Sequence, residues 1–229
     1  MSASTRGGFL RDNSLSLVFL VLFLAALAGQ AIAGHHLYND EQREHGQPTA
    51  SLPEFLTSSR FAVETAENWQ SEFLQFTLYV VGTVWLIQRG SSESKPPGEE
   101  GGGTDADQLV GEHARADSPR WARAGGLRTA IYSNSLLLVF GSIFLASWLA
   151  QSVAGWSDFN NDQAAHHEPQ FSWAGYLTEP DFWDRSLQNW QSEFLAVGTM
   201  AIFAVYLRQR GSPESKPVGA PHSTTTSAD

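Results

Sequence analysis

The sequence predicts an all-α integral membrane protein, a four-helix bundle made of two tandem copies of a two-span helical hairpin with short extra helices in the outer loops. Three observations predict it. Four apolar blocks interrupt an otherwise polar chain, although its mean hydropathy is slightly negative. Two of the blocks run about the 20 residues that a ~30 Å hydrocarbon core requires. Residues 13–96 align with 134–217 without a gap when the chain is slid against itself.

Block one, from Ser14 to Gly34, carries no charged residue and gives a span at about 14–34. Its close at Ala31-Ile32-Ala33, behind Arg6 and Arg11, also fits a signal-peptide cleavage site. Block three, Ser135 to Gly155, carries almost the same pattern in mid-chain, where a signal peptide has no role. The expectation is therefore that block one is retained and that a matching span lies at about 135–155. Blocks two and four reach spanning length only when Trp69 and Trp190 are counted in, giving spans at about 69–88 and 190–208 with one glutamate each. Trp69 and Trp190 then suit the membrane interface, where amphipathic rings settle.

The repeat is specific. Asn68-Trp69-Gln70-Ser71-Glu72-Phe73-Leu74 returns letter for letter at 189–195, and Gln88-Arg89-Gly90-Ser91 with Glu93-Ser94-Lys95-Pro96 returns at 209–217. Gln30/Gln151, Gly34/Gly155, His45/His166 and Phe61/Phe182 are further pairs at this offset of 121. Each unit crosses twice, so both copies start from the same side and relate through an axis along the membrane normal, unlike inverted repeats. Arg and Lys cluster in the N-tail, the central linker and the C-tail, whereas the hairpin loops are acidic. The positive-inside rule then puts both termini and the linker in the cytoplasm.

The expected order is a cytoplasmic N-tail at 1–12, the first hairpin repeat at 13–96, a disordered linker at 97–133, the second repeat at 134–217 and a disordered tail at 218–229. The linker is rich in Pro, Gly, Glu and Asp and lacks apolar periodicity. Ser51-x-x-Glu54 is a capping-box pattern that predicts a short helix near Ser51 to Leu56. Thr178-Glu179-Pro180-Asp181 reads as a helix start in copy two.

Composition closes several chemistries. The absence of cysteine excludes disulfides, thiolate metal sites and thiol nucleophiles. A net charge of −10, with no basic stripe, argues against nucleic acid. No phosphate-cradling loop, nucleophile elbow or zinc-protease spacing occurs, so neither a cofactor, a resident metal nor an enzymatic activity is expected. Five histidines fall in the outer loops, where they are read as solvated side chains rather than ligands.

Glu72 and Glu193 are the sharpest candidates, because a carboxylate inside a span is costly and turns towards a bundle interior or a wet cavity. Gln30 and Gln151 lie at a similar depth, so Gln30, Glu72, Gln151 and Glu193 are expected to form one polar cluster. Ala25, Gly29 and Ala33 in span one, with Ala146, Ala150 and Ala154 in span three, form small-xxx-small ridges that predict close helix packing.

With the Asn-Trp-x-Ser-Glu-Phe motif, the Gln-Arg-Gly-Ser-x-Glu-Ser-Lys exit and Tyr38-Asn39-Asp40-Glu41-Gln42 in view, the chain resembles an uncharacterised bacterial membrane-protein family classed as a domain of unknown function. The resemblance covers both repeats and implies a multi-pass protein of the bacterial cytoplasmic membrane. It brings no catalytic or binding residues with it. Copy two has no tyrosine at the Tyr38 position. The expected role is a cell-envelope scaffold or interaction protein with acidic outer loops. Its partners are the lipid bilayer and either further copies of the chain or an envelope protein. The alternative is a small oligomeric channel or transporter for protons, cations or small solutes that uses the glutamate and glutamine cluster.

Overall fold

The computed structural model describes residues 8–225. Among them every regular element is helical. These are α1 (Phe9–Asp12), α2 (Ser14–Glu44), α3 (Leu52–Leu56), α4 (Ser59–Trp85), α5 (Gly126–Ser133), α6 (Ser135–Ala165), α7 (Trp173–Tyr176) and α8 (Pro180–Tyr206), with a single 3₁₀ turn at Gly111–His113. α2 and α6 are each 31 residues and begin 121 positions apart; α4 and α8, each 27 residues, do the same. Two helices, Ser14–Glu44 and Ser135–Ala165, are long and apolar enough to cross a membrane. At ~1.5 Å per residue each reaches ~46 Å, longer than the ~30 Å of a bilayer core, so the polar last turns project beyond any apolar slab.

Local sequence explains the boundaries. Glu54 accepts hydrogen bonds from both the backbone N–H and the hydroxyl of Ser51 at 2.7 Å, the capping box that starts α3. Ser58 caps α4 through the Phe61 amide at 3.2 Å, and Ser172 caps α7 through the Gly175 amide at 3.1 Å. Pro180 occupies the first turn of α8, where a missing N–H costs nothing.

One end of the molecule, the head, gathers the C-termini of α2 and α6 and the N-termini of α4 and α8. The other, the exit end, carries the turns after α4 and α8. α4 is the central helix. It runs antiparallel and close along α6, and less closely along α8, while α2 joins the rest mainly through α3. Phe140 packs on Phe73 and Phe76, with ring centroids 5.9 and 5.3 Å apart, and Asn161 lies against Ser59 at the opposite end of the same pair of helices.

The close α4–α6 approach does not use the ridges expected from sequence. Ala25, Gly29 and Ala33 are all exposed on α2, Ala146 and Ala150 are exposed on α6, and Ala154 is half-buried. The face of α6 that α4 meets lies one position on, where Ser147, Gln151 and Gly155 are buried at spacing four. The physical reason is polarity. Hydroxyl and amide groups gain from leaving an apolar surround, while alanine loses little by staying in it.

The stretch read as an unstructured linker also differs. It contains α5, which runs almost directly into α6, and it buries Ala122. The composition of 97–133 averages over Leu127, Ile131 and Tyr132, which supply a short apolar helix at its end. The tail up to Thr225 folds back over the exit end; residues 226–229 lie outside the described range, as do 1–7 of the N-tail.

Candidate functional site

The head is assembled twice from the same contacts. The Asn39 side chain clamps the backbone of Ala50, donating to its carbonyl at 2.9 Å and accepting from its amide at 2.7 Å. Asn160 repeats both bonds on Phe171 at 2.9 Å. Beside the clamp, His35 Nε2 meets the Ala50 carbonyl and Trp156 Nε1 donates to the Phe171 carbonyl, each at 2.7 Å. These bonds hold the short helices so that Phe55 and Tyr176, both fully buried, plug the space between the long ones. The plugs fit because a glycine faces each: a Cβ at Gly34 would meet Phe55 at 3.0 Å, and one at Gly155 would meet the Tyr176 hydroxyl at 2.5 Å.

Above the plugs lies a charged network that crosses between the copies. Arg60 reaches Glu64 at 2.8 Å, Glu41 at 3.7 Å and, in the other copy, Asp158 at 3.7 Å. Arg185 reaches Asp181 at 3.2 Å, Asp158 at 4.0 Å and, in the other copy, Glu67 at 3.4 Å. Two cations therefore serve five acids. Burial pushes the pKa values of Asp158 and Glu67 up, against the pull of the arginines. Burial also works against the charge on Arg60 and Arg185, but three carboxylates each outweigh it and raise both. Cations gain more than the acids do because each arginine has three opposite neighbours, whereas the acids share theirs and repel one another. Tyr176 donates to Asp181 at 2.9 Å, and burial with that carboxylate raises its phenol well above the usual range.

The network borders an open polar cleft of about 990 Å³, lined among others by Glu41, His45, Arg60, Asp158, Asp162 and Arg185. His45 and His166, the C-caps of α2 and α6, meet edge to face with ring centroids 5.6 Å apart. Positions related by the repeat thus touch one another at the head. Among the described residues no group of three or more His, Asp or Glu side chains is arranged to hold a metal ion.

Deeper in, the buried amides are Gln70 and Gln151. Trp190 Nε1 donates to Gln70 Oε1 at 2.7 Å, and Gln151 Nε2 donates to Ser186 Oγ at 3.4 Å, which also accepts from Trp148 at 3.3 Å. The four residues expected to cluster do not form one group. Gln151 is fully buried in this network, Gln30 and Glu193 are half-buried, and Glu72 is exposed. Glu193 lies near Glu72 and the Ser71 hydroxyl. No hydrogen bond joins any two of the four among the described residues, because Glu72 sits one position past the buried Ser71 and so turns about 100° out of the interior. Trp69 is exposed and packs on Phe23 at 6.3 Å, whereas Trp190 turns inward to Gln70.

Each exit segment folds into the same turn. The Gln88 and Gln209 amides donate to Ser94 and Ser215 hydroxyls at 2.9 Å. Lys216 is buried, its ammonium held by the carbonyls of Gly90, Pro221, His222 and Thr224. Lys95 makes the corresponding bond to the Gly101 carbonyl.

A family model described as a domain of unknown function, DUF6766, matches residues 6–227. The chain belongs to that family. The match takes in the DUF6766 head, both long helical pairs and both exit turns, so the family covers the whole architecture described above. No curated protein and no solved structure matches the chain.

Proposed function

We propose that this DUF6766 chain is a multi-pass protein of the bacterial cytoplasmic membrane that acts as an envelope scaffold, presenting a rigid acidic head to a partner outside. In this reading α2, α4, α6 and α8 all cross the bilayer as two tandem hairpins, with the termini and linker in the cytoplasm. The length and apolar character of α2 and α6 support it, as does the course of α4 along α6. The single observation that carries the scaffold role is the reciprocal latch at the head. Arg60 of the first copy reaches Asp158 of the second, and Arg185 of the second reaches Glu67 of the first. Such a latch favours one fixed outer surface over a surface that opens and closes. No catalytic step is part of the proposal.

The alternative, a proton or cation pathway, is favoured by the closeness of Glu193 to Glu72. Exposure of Glu72 and use of Gln70 and Gln151 as interhelical glue weigh against it. Two measurements test the reading. Single cysteines at Gly46 and Gly103, in a chain that has none of its own, are labelled in intact cells with a membrane-impermeant maleimide. The scaffold reading expects labelling at Gly46 only. Proton or potassium flux through proteoliposomes above the protein-free level, abolished by Glu72→Gln/Glu193→Gln, would replace the scaffold with the pathway.

A further inference from the structure

Copy one buries a face of α4 against α6 and α8, and the face of α8 with the corresponding residues is bare. Ala66, Gln70 and Leu74 are 7%, 0% and 8% exposed, whereas Leu187 and Leu195 at the matching positions are 52% and 68% exposed. Gln191, the counterpart of Gln70, is exposed as well. The helix that would complete the contact, α2, is equally bare. Phe140 of α6 packs on Phe73 and Phe76, but its counterpart Phe19 is 64% exposed. The chain therefore carries both halves of a second interface that do not meet within it.

The two halves also fit in size. In the formed interface a Cβ at Gly141 would lie 3.9 Å from Thr77, an ordinary contact. The matching positions are Leu20 on α2, 51% exposed, and Gly198 on α8, where an added Cβ would meet nothing within 4 Å. A large side chain thus stands opposite a notch. Gly198 lines an open groove of about 380 Å³ between α4 and α8 together with Phe194, Val197 and Ala201. The α2 of the same chain is tied to α4 through Phe23 on Trp69 and to α3 through Phe55 under Gly34, which leaves Phe19 and Leu20 uncovered. In a bilayer, a bare Gln191 amide favours a protein neighbour over hydrocarbon, and small residues admit a close one.

We propose that α8 of one chain receives α2 of a second copy as α4 receives α6, with Leu20 in the Gly198 notch and Phe19 on Phe194. The inference rests on the reading that these helices lie in a membrane. Each chain offers one α2 and one α8, so the contact is head to tail and closes into a ring when the rotation permits.

The absence of native cysteine makes the test clean. Full-length Leu20→Cys and Gly198→Cys chains with different tags are co-expressed, and alkaline-washed membranes are oxidised with copper phenanthroline. The expected product is a disulfide-linked species at twice the 25.1 kDa monomer mass, carrying both tags and several-fold more abundant than from either variant alone. Equal dimer from Leu20→Cys alone would overturn the proposal in favour of a like-with-like contact. So would an intrachain disulfide without linked dimer in the Leu20→Cys/Gly198→Cys chain, which would mean that α2 closes on its own α8. Absence of any linked dimer while Thr77→Cys/Gly141→Cys forms its intrachain bond would assign the groove to lipid chains; failure of that control as well would remove the template and the proposal together. A chain released by the alkaline wash would instead bring down the membrane reading, whatever cross-links it forms.

Discussion

Gly155 and Gly34 show how much one hydrogen atom decides at the head. An alanine methyl at Gly155 would collide with the Tyr176 hydroxyl at 2.5 Å and press on Val63 at 3.2 Å, whereas at Gly34 it meets the Phe55 ring edge at 3.0 Å and Glu64 at an ordinary 3.8 Å. Gly155→Ala is therefore expected to destabilise by about 1–3 kcal/mol, the usual cost of overpacking. Gly34→Ala should cost less, because its nearest contact is 3.0 Å rather than 2.5 Å, while the relief of a helical glycine, up to ~1 kcal/mol, is the same at both sites. Thermal unfolding of both variants in one detergent checks the order, and a Gly155→Ala protein as stable as the parent would contradict the packing. These glycines were visible in the sequence as a pair at the repeat offset. Their purpose was not, because Phe55 and Tyr176 reach them from separate short helices. Gln70 escaped for a related reason. It sits in the repeated heptapeptide, but only the turn of α4 towards α8 shows that it, rather than its neighbour Glu72, points inside.

At the scale of helices, the bond from Trp190 to Gln70 is the most specific tie between α8 and α4. Removing one partner leaves a buried polar group without a mate, which costs about 1–3 kcal/mol, while removing both is far milder. A double-mutant cycle of Gln70→Leu and Trp190→Phe is expected to give a favourable coupling near 1 kcal/mol. Strict additivity of the two variants would show that the bond contributes nothing. The existence and type of the long helices could be read from sequence, since apolar runs and matching copies leave few alternatives. Which ridge packs could not. Ala146, Ala150 and Ala154 share their spacing with Ser147, Gln151 and Gly155, and a step of one residue turns the face by about 100°. Spacing alone is the same for both, and only the position of α4 chooses.

For the whole molecule, the head links stability to pH. Asp158 and Glu67 have raised pKa values in the fold, against about 3.9 and 4.3 for unfolded aspartate and glutamate. Their protons therefore add stability that is complete below the unfolded values and lost as pH climbs through the raised ones. Acidifying from neutral pH through the raised values towards the unfolded ones of about 4 is expected to raise the melting temperature, and Asp158→Asn should flatten the profile. A variant as pH-sensitive as the parent would clear Asp158 of that role. In the first copy the i, i+4 pair runs Arg60 then Glu64, and at the matching positions of the second it runs Asp181 then Arg185. The polarity is inverted, so two first copies brought together as the two halves now stand would set Glu64, in the place of Arg185, against Glu67 and leave Arg60 facing Leu37 in the place of Asp158. The inversion works as an address label. A gene cut in the linker should yield two polypeptides that find each other and ignore their own kind, and co-purification of 1–112 with 113–229, but not of either fragment with itself, is the expected outcome.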